Sequence, residues 1–82
     1  MPTVARLGNL RVVIYPNDHR PPHVHLFGGG HEAIFILNCP EGPPTLRANY
    51  GFDLRRLNDM ADQLQRMIAS ICDEWGSFHG AY

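Results

Sequence analysis

Eighty-two residues, 44% of them hydrophobic, with a formal charge of −1, make one small domain, 1–82, and are too apolar for a disordered chain. The charge argues against a strong, field-driven nucleic-acid binder, because the seven basic residues are all arginines and are scattered along the chain. No apolar run is long enough to span a bilayer, and Cys39 and Cys72 stand far apart without metal-type spacing, so they read as reduced thiols of a cytoplasmic protein lacking a signal peptide.

The chain opens with a short lead-in, Met1 to Gly8, with Pro2 near its start. Leu10-Arg11-Val12-Val13-Ile14-Tyr15 is rich in β-branched residues and predicts a first strand. Asn17-Asp18 follows Pro16, and both side chains favour a turn by bonding nearby backbone. Pro21-Pro22 then fixes two φ angles and keeps Arg20 and Pro21 out of the helical region, which makes a stiff, extended corner. The corner feeds His23-Val24-His25-Leu26-Phe27. Its alternation predicts a strand with His23, His25 and Phe27 on one face and Val24 and Leu26 on the other.

Gly28-Gly29-Gly30 supplies the positive φ that a hairpin needs. A glycine triplet also suits a phosphate, although no other part of a phosphate-loop motif accompanies it. Glu32 to Leu37 predicts a third strand, with Ala33, Phe35 and Leu37 facing one way and Ile34 and Ile36 the other. Both of its faces are apolar, so both are expected to lose water. Asn38 to Pro44, with Pro40, Gly42, Pro43 and Pro44, is a loop, and Thr45 to Tyr50 is a short fourth strand ended by Gly51.

At Asp53, which suits an N-cap, the period changes. Leu54, Leu57, Ala61, Leu64, Ile68, Ile71, Trp75 and Phe78 are spaced by threes and fours, with polar residues between them. That is an amphipathic helix, widened by Met60 and Met67 and expected to stop at Gly76. The predicted fold is α+β: a three- to four-stranded antiparallel β-meander with one long C-terminal α-helix packed on one face.

A helix from Asp53 to Trp75 is roughly 35 Å long at about 1.5 Å per residue, whereas strands of six or seven residues reach roughly 20–23 Å. So short a sheet cannot cover the whole apolar stripe of a straight helix. The surplus predicts an interface through Ile34, Ile36, Leu64, Ile68, Ile71 and Trp75, either in a homo-oligomer or with a second protein. The alternative is a helix laid diagonally, with Ile34 and Ile36 under the proline-rich loop.

The histidines admit three readings. His23 and His25 on one strand face can present two imidazole nitrogens to a divalent metal such as zinc, with His19, His31 or Glu32 as a third ligand. His19, Arg20, His23 and His25 can instead be the catalytic set of a small metal-independent ribonuclease-type toxin, the imidazoles exchanging protons and Arg20 holding phosphate, with Tyr15 nearby. The plain reading is structural: His19 bonds the turn backbone, and His23 and His25 bond across strands. His31 and His79 are expected to be solvated, and Trp75 and Phe78 to serve core or interface.

The opening Met-Pro-Thr-Val, Tyr15, the run from Asn17 to His25, Glu32-Ala33, Gly51-Phe52 and Trp75 resemble a family of small bacterial proteins, domain of unknown function 4160. The resemblance spans almost the whole chain. The proline-rich Asn38–Thr45 segment departs from the shorter, lysine-rich loop of that family. The resemblance implies no established activity. It implies a gene beside a second small gene, in a toxin–antitoxin-like arrangement, and hence a protein partner encoded nearby; the scattered charge makes nucleic acid a weaker expectation, and the lack of a long apolar run argues against a membrane.

Overall fold

The computed structural model describes residues 3–80. Five strands, β1 (Thr3–Leu7), β2 (Leu10–Val13), β3 (His23–Gly28), β4 (His31–Ile36) and β5 (Thr45–Tyr50), precede two helices, α1 (Leu54–Arg66) and α2 (Ile68–His79). The strands form one antiparallel sheet in the order of the chain. The α+β class and the meander are as the sequence predicts. The strand count and the single long helix are corrected.

The extra strand comes from the lead-in. Thr3–Leu7 pairs with β2, Arg6 opposite Arg11 and Leu7 opposite Leu10. Its Val4-Ala5-Arg6-Leu7 run is short, and Gly8, at φ +63°, closes a tight turn that a lead-in reading overlooks. Met1 and Pro2 lie outside the described residues. Between β3 and β4, Gly29 and Gly30 both have positive φ, 56° and 79°. That is the requirement of a type I′ hairpin turn.

The helix divides at Met67, whose φ of −119° leaves the helical region. Its N–H still bonds the Leu64 carbonyl at 3.1 Å, and Ile71 N–H bonds the Met67 carbonyl at 3.0 Å. The chain therefore turns without losing its backbone partners. A straight helix from Leu54 to His79 would run about 39 Å, whereas the molecule is 32 Å in its longest dimension. The break keeps both halves over the sheet. It also carries α2 past Gly76, the expected stop, to a cap at Gly80. Asp53 caps α1 as predicted, its Oδ1 accepting Arg56 N–H at 2.9 Å.

One face of the sheet meets the helices. Leu10, Val12, Ile14, Val24, Leu26, Ala33, Phe35 and Leu37 pack there against Leu57, Met60, Leu64, Ile68, Ile71, Cys72 and Trp75. Leu64, Ile68, Ile71 and Trp75, expected at an interface, are thus inside the protomer, at most 8% exposed. Trp75 Nε1 is buried with no acceptor among the described residues, an omission worth about 1–3 kcal/mol.

The proline-rich loop is tied to the helical layer. Gln65 Nε2 donates to the Glu41 carbonyl at 2.9 Å, and Cys39 is bonded to Cys72. The two cysteines read as reduced thiols are therefore a disulfide, brought together by a loop and a helix 33 residues apart. Ile34 and Ile36 remain half-buried on the far face. No helix among the described residues is long and apolar enough to cross a membrane.

Candidate metal centre

The far face of the sheet is built around three side chains. Strand alternation puts His23 and His25 there, opposite Ile36 and Ile34 of β4. The corner before β3 supplies the third. Asp18 N–H donates to the Tyr15 carbonyl at 3.0 Å, and Tyr15 N–H donates to Asp18 Oδ2 at 3.1 Å. This reciprocal turn folds the carboxylate back over the strand. The Leu37 N–H bond to the Pro22 carbonyl, at 2.9 Å, pins the corner's other arm.

Asp18 Oδ1 lies 3.5 Å from His23 Nε2 and 3.4 Å from His25 Nε2. One ligand atom from each of Asp18, His23 and His25 lies within 4.8 Å of the others. Their side chains are only 8–13% exposed.

The outer atom of each group is already bound. His23 Nδ1 lies 2.8 Å from the Pro21 carbonyl oxygen. His25 Nδ1 lies 3.1 Å from Glu32 Oε2. A carbonyl and a carboxylate oxygen only accept, so both Nδ1 atoms carry hydrogen and donate. In the neutral imidazoles each Nε2 is then a bare lone pair. Two lone pairs and a carboxylate oxygen converge on one point. A cation placed there would meet both lone pairs and the carboxylate, whereas with a proton on His25 Nε2 that nitrogen donates to Asp18 Oδ1 at 3.4 Å.

A first-row divalent metal with bonds of about 2.0–2.2 Å has ligand atoms roughly 2.9–3.5 Å apart around it. The observed Nε2–Oδ1 separations fit that span, whereas the 4.8 Å limit of the whole set exceeds it, so the two imidazoles would draw together around an ion. Glu32 behind His25 holds that imidazole in one tautomer and orientation, as a carboxylate partner does for imidazoles that ligate a metal. The surroundings restrict the rings further. Tyr15 meets His25 edge-on at 4.8 Å, Phe27 lies parallel to it at 6.3 Å, and His23 meets it at 5.3 Å.

The other predicted site residues are elsewhere. His19 is exposed and outside the cluster. Arg20 carries its guanidinium over Trp75, 5.8 Å from the ring centre. Of the four-residue ribonuclease set, His23 and His25 meet, with ring centres 5.3 Å apart. His31 is exposed but edges against Phe52 at 5.4 Å. His79, expected in solvent, donates from Nε2 to the Tyr15 carbonyl at 3.1 Å and packs on Trp75 at 4.2 Å. It ties α2 to the corner that carries Asp18. Sequence reasoning assigned Asp18 to the turn alone. The signal it held was that a turn-forming Asp before a His-x-His strand can turn its carboxylate back onto that strand.

Neither the curated proteins nor the solved structures give a significant match to this chain. Residues 9–76, the whole corner, the sheet from β2 onward and most of both helices, match the family described as Domain of unknown function (DUF4160). The chain belongs to that family.

Proposed function

We propose that the protein binds one divalent transition-metal ion through His23 Nε2, His25 Nε2 and Asp18. The observation that carries this reading is the convergence of two donor nitrogens and a carboxylate oxygen whose outer atoms are all held by the protein. Two neutral imidazoles and one carboxylate, with no thiolate, suit a borderline cation such as zinc. Three protein ligands leave a position open, which is the pattern of a catalytic rather than a structural centre. A metal so held polarises a carbonyl or phosphoryl oxygen, or makes a bound water acidic enough to act as hydroxide near neutral pH.

The test is zinc titration of untagged protein against a chromophoric chelator, with melting followed in parallel. Wild type should take up one equivalent and melt at a higher temperature. Acid should weaken binding, because protons compete for the same nitrogens. Equal zinc affinity in His23→Ala and His25→Ala would rule the centre out.

A second reading, an interaction module within a toxin–antitoxin-like pair, has one feature in its favour. Strand β5 is a sheet edge with Leu46 47% and Tyr50 62% exposed, followed by Leu54 at 72%. An edge of that kind accepts a partner strand. Co-expression with the product of the neighbouring gene, followed by light scattering, tests it. A monomeric protein that ignores the neighbour removes the reading.

A further inference from the structure

Beside the metal cluster, the same sheet face carries a row of different chemistry. Arg6, Arg11, Phe27 and Glu32 stand opposite one another across β1 to β4. Phe27 follows His25 by two residues, so this row lies roughly 7 Å from the row of His25, on the same side. A cleft of about 520 Å³ opens over it, floored by Phe27 and edged by Arg6, Arg11, Gly29, Gly30 and Glu32.

Two properties of the cleft stand out. Arg6 and Arg11 are directly opposed like charges, an arrangement that destabilises a strand pair. Among the described residues no carboxylate lies within ion-pairing distance of either guanidinium. The one acid in the cleft, Glu32, is turned to His25 Nδ1 at 3.1 Å. In addition, the Arg11 guanidinium lies over the Phe27 ring, 5.5 Å from its centre. Stacking restricts a guanidinium plane while leaving its edge donors available. The backbone at Gly29 and Gly30 is open, since a side chain placed on either would meet nothing within 4 Å.

We propose that this cleft binds a tetrahedral oxyanion, the phosphoryl group of a phosphorylated small molecule, between Arg6 and Arg11. The proposal deepens the metal reading, on which it rests for the ligand's other end: the phosphoryl group is held here while the rest of the molecule reaches the centre at His23, His25 and Asp18. Glu32 joins the two sites, because it lines the cleft and orients a metal ligand. The paired guanidiniums, which repel each other in the free protein, are then matched by a dianion.

The experiment separates the two readings by working first without metal. Inorganic phosphate is titrated into chelator-treated protein and followed by amide chemical shifts. Saturable binding is expected, with shifts centred on Arg11, Phe27 and the Gly29-Gly30 turn, and competition by sulfate. Arg11→Gln and Arg6→Gln should each weaken it by about tenfold, the loss of one charge-assisted contact. His23→Ala, which removes zinc, should leave phosphate affinity within a factor of about two. Circular dichroism checks that the surface variants remain folded.

Absence of saturable binding, or unchanged affinity in the Arg6→Gln, Arg11→Gln double variant, overturns the proposal. It leaves the metal reading standing. Phenyl phosphate, as a simple ester, should bind zinc-loaded protein more tightly than the metal-free form. If a short oligoribonucleotide outcompetes both phosphate and the ester by far more than its number of phosphates explains, the ligand is a polymer, and the small-molecule assignment is overturned.

Discussion

The two faces of the sheet are made from the same strands yet finished in opposite ways. On the helical face Val12, Val24, Leu26, Leu37, Met60 and Leu64 are fully buried. On the far face the largest buried group is an imidazole, His23. Its neighbours Ile34, Ile36 and Phe27 are only half covered. The first face is closed by the chain's own helices except at the β5 edge, where Leu46 stays 47% exposed. The second brings two imidazoles, two carboxylates and two guanidiniums together, and among the described residues no carboxylate lies within ion-pairing distance of either guanidinium. The difference separates residues that hold the fold from residues available for function.

That division is broken most severely from the helical side. Leu64→Ala should lower stability by about 2–5 kcal/mol, the range for a buried leucine that leaves a cavity. Urea unfolding measures it, and a loss under about 1 kcal/mol would mean that the helices are loosely docked. Cys39→Ser should cost about 3–4 kcal/mol under oxidising conditions, since the bond closes a loop of 33 residues in the unfolded chain. Under strong reductant the two proteins should differ far less. Both variants should bind zinc normally while folded, because Leu64 and Cys39 pack with the helical layer and not on the far face.

Changes on the far face should do the reverse. His23→Ala should weaken zinc binding by more than about 100-fold, exceeding the loss from removing an orienting partner, and should leave far-ultraviolet circular dichroism unchanged. Glu32→Gln is milder. The amide oxygen still accepts from His25 Nδ1–H, but the negative charge behind the imidazole is gone, so affinity should fall by about tenfold, the lower end for a supporting partner. Chelator competition measures both. If Glu32→Gln proves as damaging as His23→Ala, Glu32 itself ligates, and the roles of the two carboxylates must be exchanged.

How far the sequence discloses each face follows from the range of the signals involved. The histidine strand, the glycine hairpin and the Asp53 cap are local, and each is readable from neighbouring residues. The division at Met67 is not. Leu57, Leu64, Ile68, Ile71 and Trp75 keep one helical period straight through it. No glycine or proline marks the turn. Likewise, Asp18 is legible as a turn residue but not as a neighbour of His23 and His25. Its second role needs the Tyr15 reciprocal bonds and the strand that follows. The apparent excess of apolar surface came from assuming a straight helix. Dividing the helix returns four of the six expected interface residues to the core and leaves only Ile34 and Ile36 facing outward.

Those two residues give the smallest effect and the sharpest use of the comparison. Ile34→Thr keeps a β-branched side chain on a half-covered face, so strand preference is retained and little cavity forms. The expected loss in unfolding free energy is below about 1 kcal/mol, independent of protein concentration, with zinc affinity unchanged. A loss above about 2 kcal/mol that grows as the protein is concentrated would mean that Ile34 is core in an assembly rather than rim in a protomer. The far face would then be closed by a protein partner, and the metal cluster would lie beneath that partner instead of open to a small ligand.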